Sequence, residues 1–148
     1  VSSFVVKRKA LQRIGGFTEK WINAEDADLA LRLGTESGFV DVHDAPTFGY
    51  RRHDATAMDN EVRTLEGALH NIEAEHKGKY PGGDDRRVER WRILSRHVRP
   101  VALQALKHRR FEEAWAIYKG TFRWNLTLRR WKFLLGFPLR ALQHKIST

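Results

Sequence analysis

From Met58 onward the apolar residues of this chain recur at helical steps, and that rhythm constrains the fold more than any other feature. Met58, Val62, Leu65, Leu69 and Ile72 follow at intervals of four, three, four and three. Such spacing places them on one face of a helix, facing a core. The rhythm returns in Val88, Trp91, Leu94 and Val98, and again in Phe111, Trp115, Tyr118 and Phe122. The back of the chain is therefore read as packed helices. Thr56-Ala57-Met58-Asp59 supplies a capping-box start for the first of them. Pro100 is expected to end the helix of Trp91, with a separate helix over 101–107. Asn125 is expected to cap a last helix through Leu135, bent or ended by Pro138.

Pro81-Gly82-Gly83-Asp84-Asp85 reads as a joint. Residues 1–80 carry 11 Lys/Arg against 13 Asp/Glu, and residues 81–148 carry 16 against 5. The net charge of +9 thus lies beyond the joint. The organisation read from this is a front piece (1–80), a linker (81–85) and a basic helical region (86–148). Within the latter, Leu106 to Trp115 resembles the turn and second helix of a tetratricopeptide-like hairpin. One such unit is short of the roughly three that an array needs.

The front piece is patterned differently. Ser3 to Val6 reads as a short strand, residues 8–14 as a short helix, and Gly15 as its stop. Gly15-Gly16 makes a tight turn that lets backbone approach a ligand. Asn23 is placed to cap the next helix, with Asp26 three residues on. Glu25, Asp26 and Asp28 then fall in its first turn, where the helix dipole favours negative charge. Leu29 and Leu33, one turn apart, face inward. An acid at a buried helix start beside a cleft suits a general base, although most such acids only cap and solvate. Gly38 breaks the pattern, and two alternating strands follow, 39–42 and 47–50. They lead into Arg51-Arg52-His53. Two guanidiniums and an imidazole suit a diphosphate, since arginine pairs with phosphate oxygens at two points; an exposed basic turn is the alternative. His70 and His76 lie six residues apart, off a common face, and receive no metal role.

Ser3-Phe4-Val5-Val6-Lys7-Arg8, Gly15-Gly16-Phe17, Glu25-Asp26-Ala27-Asp28-Leu29 and Tyr50-Arg51-Arg52-His53 occur in this order. In order and spacing they resemble motifs late in the catalytic domain of inverting family 2 glycosyltransferases of the GT-A fold. The resemblance covers residues 1–60. It implies an α/β fold: the acceptor-side fragment of a GT-A (Rossmann-like) domain, followed by an α-helical appendage. It implies transfer of a sugar from a nucleotide-sugar donor to a hydroxyl of a saccharide or lipid-linked acceptor. Asp26 would be the base, supported by Glu25 and Asp28. Arg51, Arg52 and His53 would hold the donor diphosphate, and His53 would also ligate a divalent cation, Mg or Mn. Gly15, Gly16 and Trp21 would border the acceptor, a buried structural Trp21 being the alternative. Asp26-Ala27-Asp28 is read as the base motif, not as the family's earlier metal motif. By this resemblance Val1 already lies inside the acceptor half, so the chain is expected to be the carboxy-terminal part of an enzyme, with most of the donor site outside it.

The absence of cysteine excludes disulfides and thiolate metal sites and suits a cytoplasmic protein. No apolar run is long enough to cross a bilayer. In the tail, Trp124, Trp131, Phe133 and Phe137 are mixed with Arg123, Arg129, Arg130, Lys132 and Arg140. Such mixing suits a helix lying peripherally on the inner face of the cell membrane, or alternatively a helical cap. A basic nucleic-acid-binding module and a helical protein-interaction module are the rival readings. No nucleic-acid partner is expected, because no binding-motif signature accompanies the charge.

Overall fold

The computed structural model describes residues 5–38 and 60–146. These form six helices: α1 (Arg8–Arg13), α2 (Glu25–Arg32), α3 (Glu61–His76), α4 (Arg87–Lys107), α5 (Phe111–Thr127) and α6 (Trp131–Ile146). No strand occurs among the described residues. This overturns the α/β, Rossmann-like expectation: the described chain is all-helical. A strand is stable only when laddered to a neighbour, and no partner strand stands beside residues 5–6 among the described residues. Val5, expected inside a first strand, is fully exposed. The strands expected over 39–42 and 47–50 lie outside the described residues, as do Ser3, Phe4 and the capping box at Thr56.

Helices α3 to α6 enclose the main core. Leu65 and Ile72 of α3 meet Leu94 and Val98 of α4, Ile117 and Trp124 of α5, and Phe137 of α6 in one buried cluster. Tyr118 stacks on Phe137 with ring centres 4.6 Å apart and planes at 10°. Leu29, Leu31 and Leu33 of the front are buried, and Leu31 joins this same cluster. Asn60 caps α3 by accepting a hydrogen bond from the Arg63 N–H at 3.1 Å.

Both prolines are absorbed within helices. α4 runs unbroken through Pro100, and α6 through Pro138. The expected break at Pro100 fails because the ring faces solvent while Leu94, Val98 and Ala102 keep one buried face on either side. At Pro138 the missing N–H leaves the Leu134 carbonyl without its helical donor. The buried Tyr118 hydroxyl donates to that carbonyl at 2.9 Å instead. Asn125 is likewise no cap. It lies buried within α5, where its Nδ2 donates to the Thr121 carbonyl at 2.9 Å.

The turns after α4 and α5 share one design. Arg109 and Arg129 occupy the left-handed region, with φ of 60° and 53°. The following N–H then reaches back in each: Arg110 to the Ala105 carbonyl at 2.9 Å, Arg130 to the Asn125 carbonyl at 2.8 Å. This closes each helix in the Schellman manner, with arginine where glycine is usual.

At the joint, Arg90 is buried and reaches back across it. Its Nε donates to Glu75 Oε2 at 2.7 Å, its Nη2 to Oε1 at 3.2 Å, and its Nη1 to the Pro81 carbonyl at 3.0 Å. Residues 81–85 are therefore pinned between α3 and α4 by a two-point ion pair.

Candidate functional site

The acids at the start of α2 differ sharply in environment. Glu25 is exposed, Asp26 half-buried, and Asp28 only 3% exposed. Ala24, just before them, holds a left-handed backbone at φ 67°. For a residue with a Cβ that conformation costs about 1–2 kcal/mol. It turns the chain from the preceding loop into the helix. Asn23 does not cap α2: its Nδ2 donates to Thr64 Oγ1 at 2.8 Å, and its N–H to the Arg63 carbonyl at 3.1 Å. The expected cap is thus spent on tying the loop to α3. The approach is so close that a Cβ on Gly67 would lie 1.9 Å from the Asn23 carbonyl oxygen.

Asp28 is the hub. Arg32 Nε donates to its Oδ2 at 2.9 Å, and the Tyr80 hydroxyl to its Oδ1 at 3.0 Å. Arg32 also donates through Nη1 to the Ile14 carbonyl at 2.9 Å, which fastens the Gly15-Gly16 turn to α2. His70 Nε2 stands 3.7 Å from Asp28 Oδ1, an electrostatic neighbour rather than a hydrogen-bond partner. Burial holds the His70 pKa below its usual value. Asp28 opposes that shift, and Lys20 and Lys79 reinforce it. Burial, and then the Asp28 charge, raises the Tyr80 pKa far above the ordinary phenol range, so this hydroxyl stays a donor. Both oxygens of Asp28 are thus engaged.

Asp26 is arranged otherwise. Its Oδ1 accepts the Ala27 N–H at 2.8 Å, and the side chain remains half open to solvent. Trp21 is 77% exposed, with the Arg63 guanidinium 4.7 Å from its ring centre. That excludes the buried structural alternative for Trp21. Gly15 and Gly16 have φ of 80° and 75° and open space where a Cβ would stand. They are required by the turn, not by a close approach.

The fold therefore brings the Gly-Gly turn and the acidic helix together through Arg32. Arg51, Arg52 and His53 lie outside the described residues. Among the described residues no group of three His, Asp or Glu is placed to hold a metal ion. The Asp28 carboxylate is already engaged by Arg32 and Tyr80. Sequence reading missed Tyr80 and His70 as neighbours of Asp28, and Asn71, whose Oδ1 lies 3.3 Å from the Tyr80 hydroxyl. Tyr80 is 52 residues from Asp28, and no local pattern connects them.

In the tail, Trp124, Phe133 and Phe137 prove to be core residues, and only Trp131 of the four expected aromatic anchors is exposed. Among the described residues no helix is long and apolar enough to cross a membrane. No protein-family model, curated protein or solved structure matches the chain.

Proposed function

We propose that this chain supplies the acceptor side of an inverting sugar transfer, with Asp26 as the general base. The observation that carries the reading is the division of labour on α2. Both oxygens of Asp28 are engaged, by Arg32 and Tyr80, while Asp26, two residues earlier, is only partly buried and accepts only the Ala27 N–H among the described contacts. A carboxylate held at a helix start accepts a hydroxyl proton as that hydroxyl attacks the sugar carbon; the carbon–oxygen bond to the diphosphate breaks on the opposite face. Glu25, exposed in the same helical turn, orients and supports the base. Trp21 offers an apolar ring face to a saccharide or lipid-linked acceptor, and the donor is a nucleotide sugar. The reading rests on the ordered motifs of the front piece and on the geometry of α2, and needs no sheet in the described residues.

In this reading Arg51, Arg52 and His53 meet the leaving diphosphate, and His53 contributes to a Mg or Mn site. The test is calorimetry of nucleoside diphosphate binding to the full-length protein, with and without manganese. His53→Ala should weaken manganese-dependent binding at least tenfold and leave acceptor binding unchanged. Equal affinity in both conditions would reduce the cluster to a basic surface turn.

A further inference from the structure

α6 has two apolar faces, and the core uses only one. Phe133, Leu134, Phe137 and Ala141 are buried. Trp131, Leu135, Leu139 and Leu142 follow at steps of four, four and three, and are 53%, 66%, 62% and 57% exposed. At 100° per residue these four span about 80° of the helix circumference, on the side away from the core. An outward apolar stripe of this regularity is a docking surface in search of an occupant.

Charge identifies the occupant. α6 contains no acidic residue, and no Asp or Glu follows Glu113 anywhere in the sequence. Over the same stretch stand Lys119, Arg123, Arg129, Arg130, Lys132, Arg140 and Lys145. Arg123, Arg129, Lys132 and Arg140 are exposed. A second copy of the chain docking here would bring the same cations against one another with no carboxylate to pair them. An anionic bilayer surface offers an apolar layer for the leucines and Trp131, and negative headgroups for the flanking cations. We infer that α6 lies in the plane of an anionic membrane surface, with Trp131, Leu135, Leu139 and Leu142 inserted at the headgroup boundary. The inference does not depend on the sugar-transfer reading.

The test is co-sedimentation of the 148-residue chain with phosphatidylcholine vesicles containing graded phosphatidylserine, at low and high salt. Binding should rise with phosphatidylserine content and fall with salt, because exposed charge pairs are screened. The double variant Leu135→Ser/Leu139→Ser should bind at least tenfold more weakly with an unchanged melting temperature, since both side chains already face solvent. Lys132→Glu/Arg140→Glu should lose the dependence on lipid charge, and provides a second route should the serine variant fold poorly. Absence of binding, binding indifferent to phosphatidylserine, or full-strength binding by both variants would overturn the proposal. So would a dimer in sedimentation velocity that the serine variant dissolves while vesicles pull down nothing; the stripe would then belong to a second copy.

Discussion

Asp28 and Asp26 lie two positions apart on α2, yet one is buried with both oxygens engaged and the other is only partly buried. Removing Asp28 strips the counter-charge from Arg32 and leaves the buried Tyr80 hydroxyl only the longer contact to Asn71 Oδ1 at 3.3 Å. Breaking one side of a buried pair costs about 3–5 kcal/mol. Asp28→Ala should lower the unfolding free energy in urea by that order, and a loss under about 1 kcal/mol would show the network to be ornamental. His70 adds a pH dependence. Its folded pKa lies below the usual 6.5, so the unfolded chain takes the proton more readily. Its contribution is therefore complete above that pH and is lost as pH falls below it. His70→Gln should flatten the decline in stability as pH falls below about 6.5; an unchanged slope would clear His70 of the effect. The acids themselves were legible in the sequence as a cluster in a first helical turn. Which of them is open and which is held was not, because that depends on Tyr80 and on Arg32 reaching Ile14.

At the scale of elements, the helical rhythm predicted where helices lie better than where they begin and end. The stripes of α3, α4 and α5 were readable in part: Leu65, Ile72, Leu94, Val98 and Tyr118 are buried, but Val62, Val88 and Phe122, expected on the same faces, are exposed. The prolines misled, because a ring on a solvent-facing position, or one whose orphaned carbonyl finds a side-chain donor, does not stop a helix. Tyr118→Phe tests the second case. It leaves the buried Leu134 carbonyl without the hydroxyl beside Pro138, and should cost about 1–3 kcal/mol in a denaturation midpoint. The contact between the Asn23 loop and α3 was equally invisible in sequence. Gly67 fits the pattern of a weak helix residue, yet the Asn23 carbonyl sits where any Cβ would go. Gly67→Ala should therefore destabilise by roughly 1–3 kcal/mol despite the better helix propensity of alanine. A gain in stability would mean that the loop is not seated against α3.

At the scale of the whole molecule, the division at Pro81-Gly82-Gly83 is plain in charge but is bridged by the buried Glu75–Arg90 pair. Neither partner looks unusual in sequence, since 15 residues separate them and the glycines between read as a loose joint. The resemblance of the front motifs to a Rossmann-like enzyme carried an expectation of sheet that the described residues do not meet. What survives from the motifs is the pairing of the Gly-Gly turn with the acidic helix. In the function proposed above, Asp26 acts on the acceptor while Asp28 holds the frame. This division is tested most directly by measuring sugar transfer and melting temperature side by side for Asp26→Asn and Asp28→Asn in the full-length protein. Asp26→Asn should reduce turnover on the order of a hundredfold or more with an unchanged melting temperature, and Asp28→Asn should lower the melting temperature. Near-normal turnover in a folded Asp26→Asn protein would contradict the account.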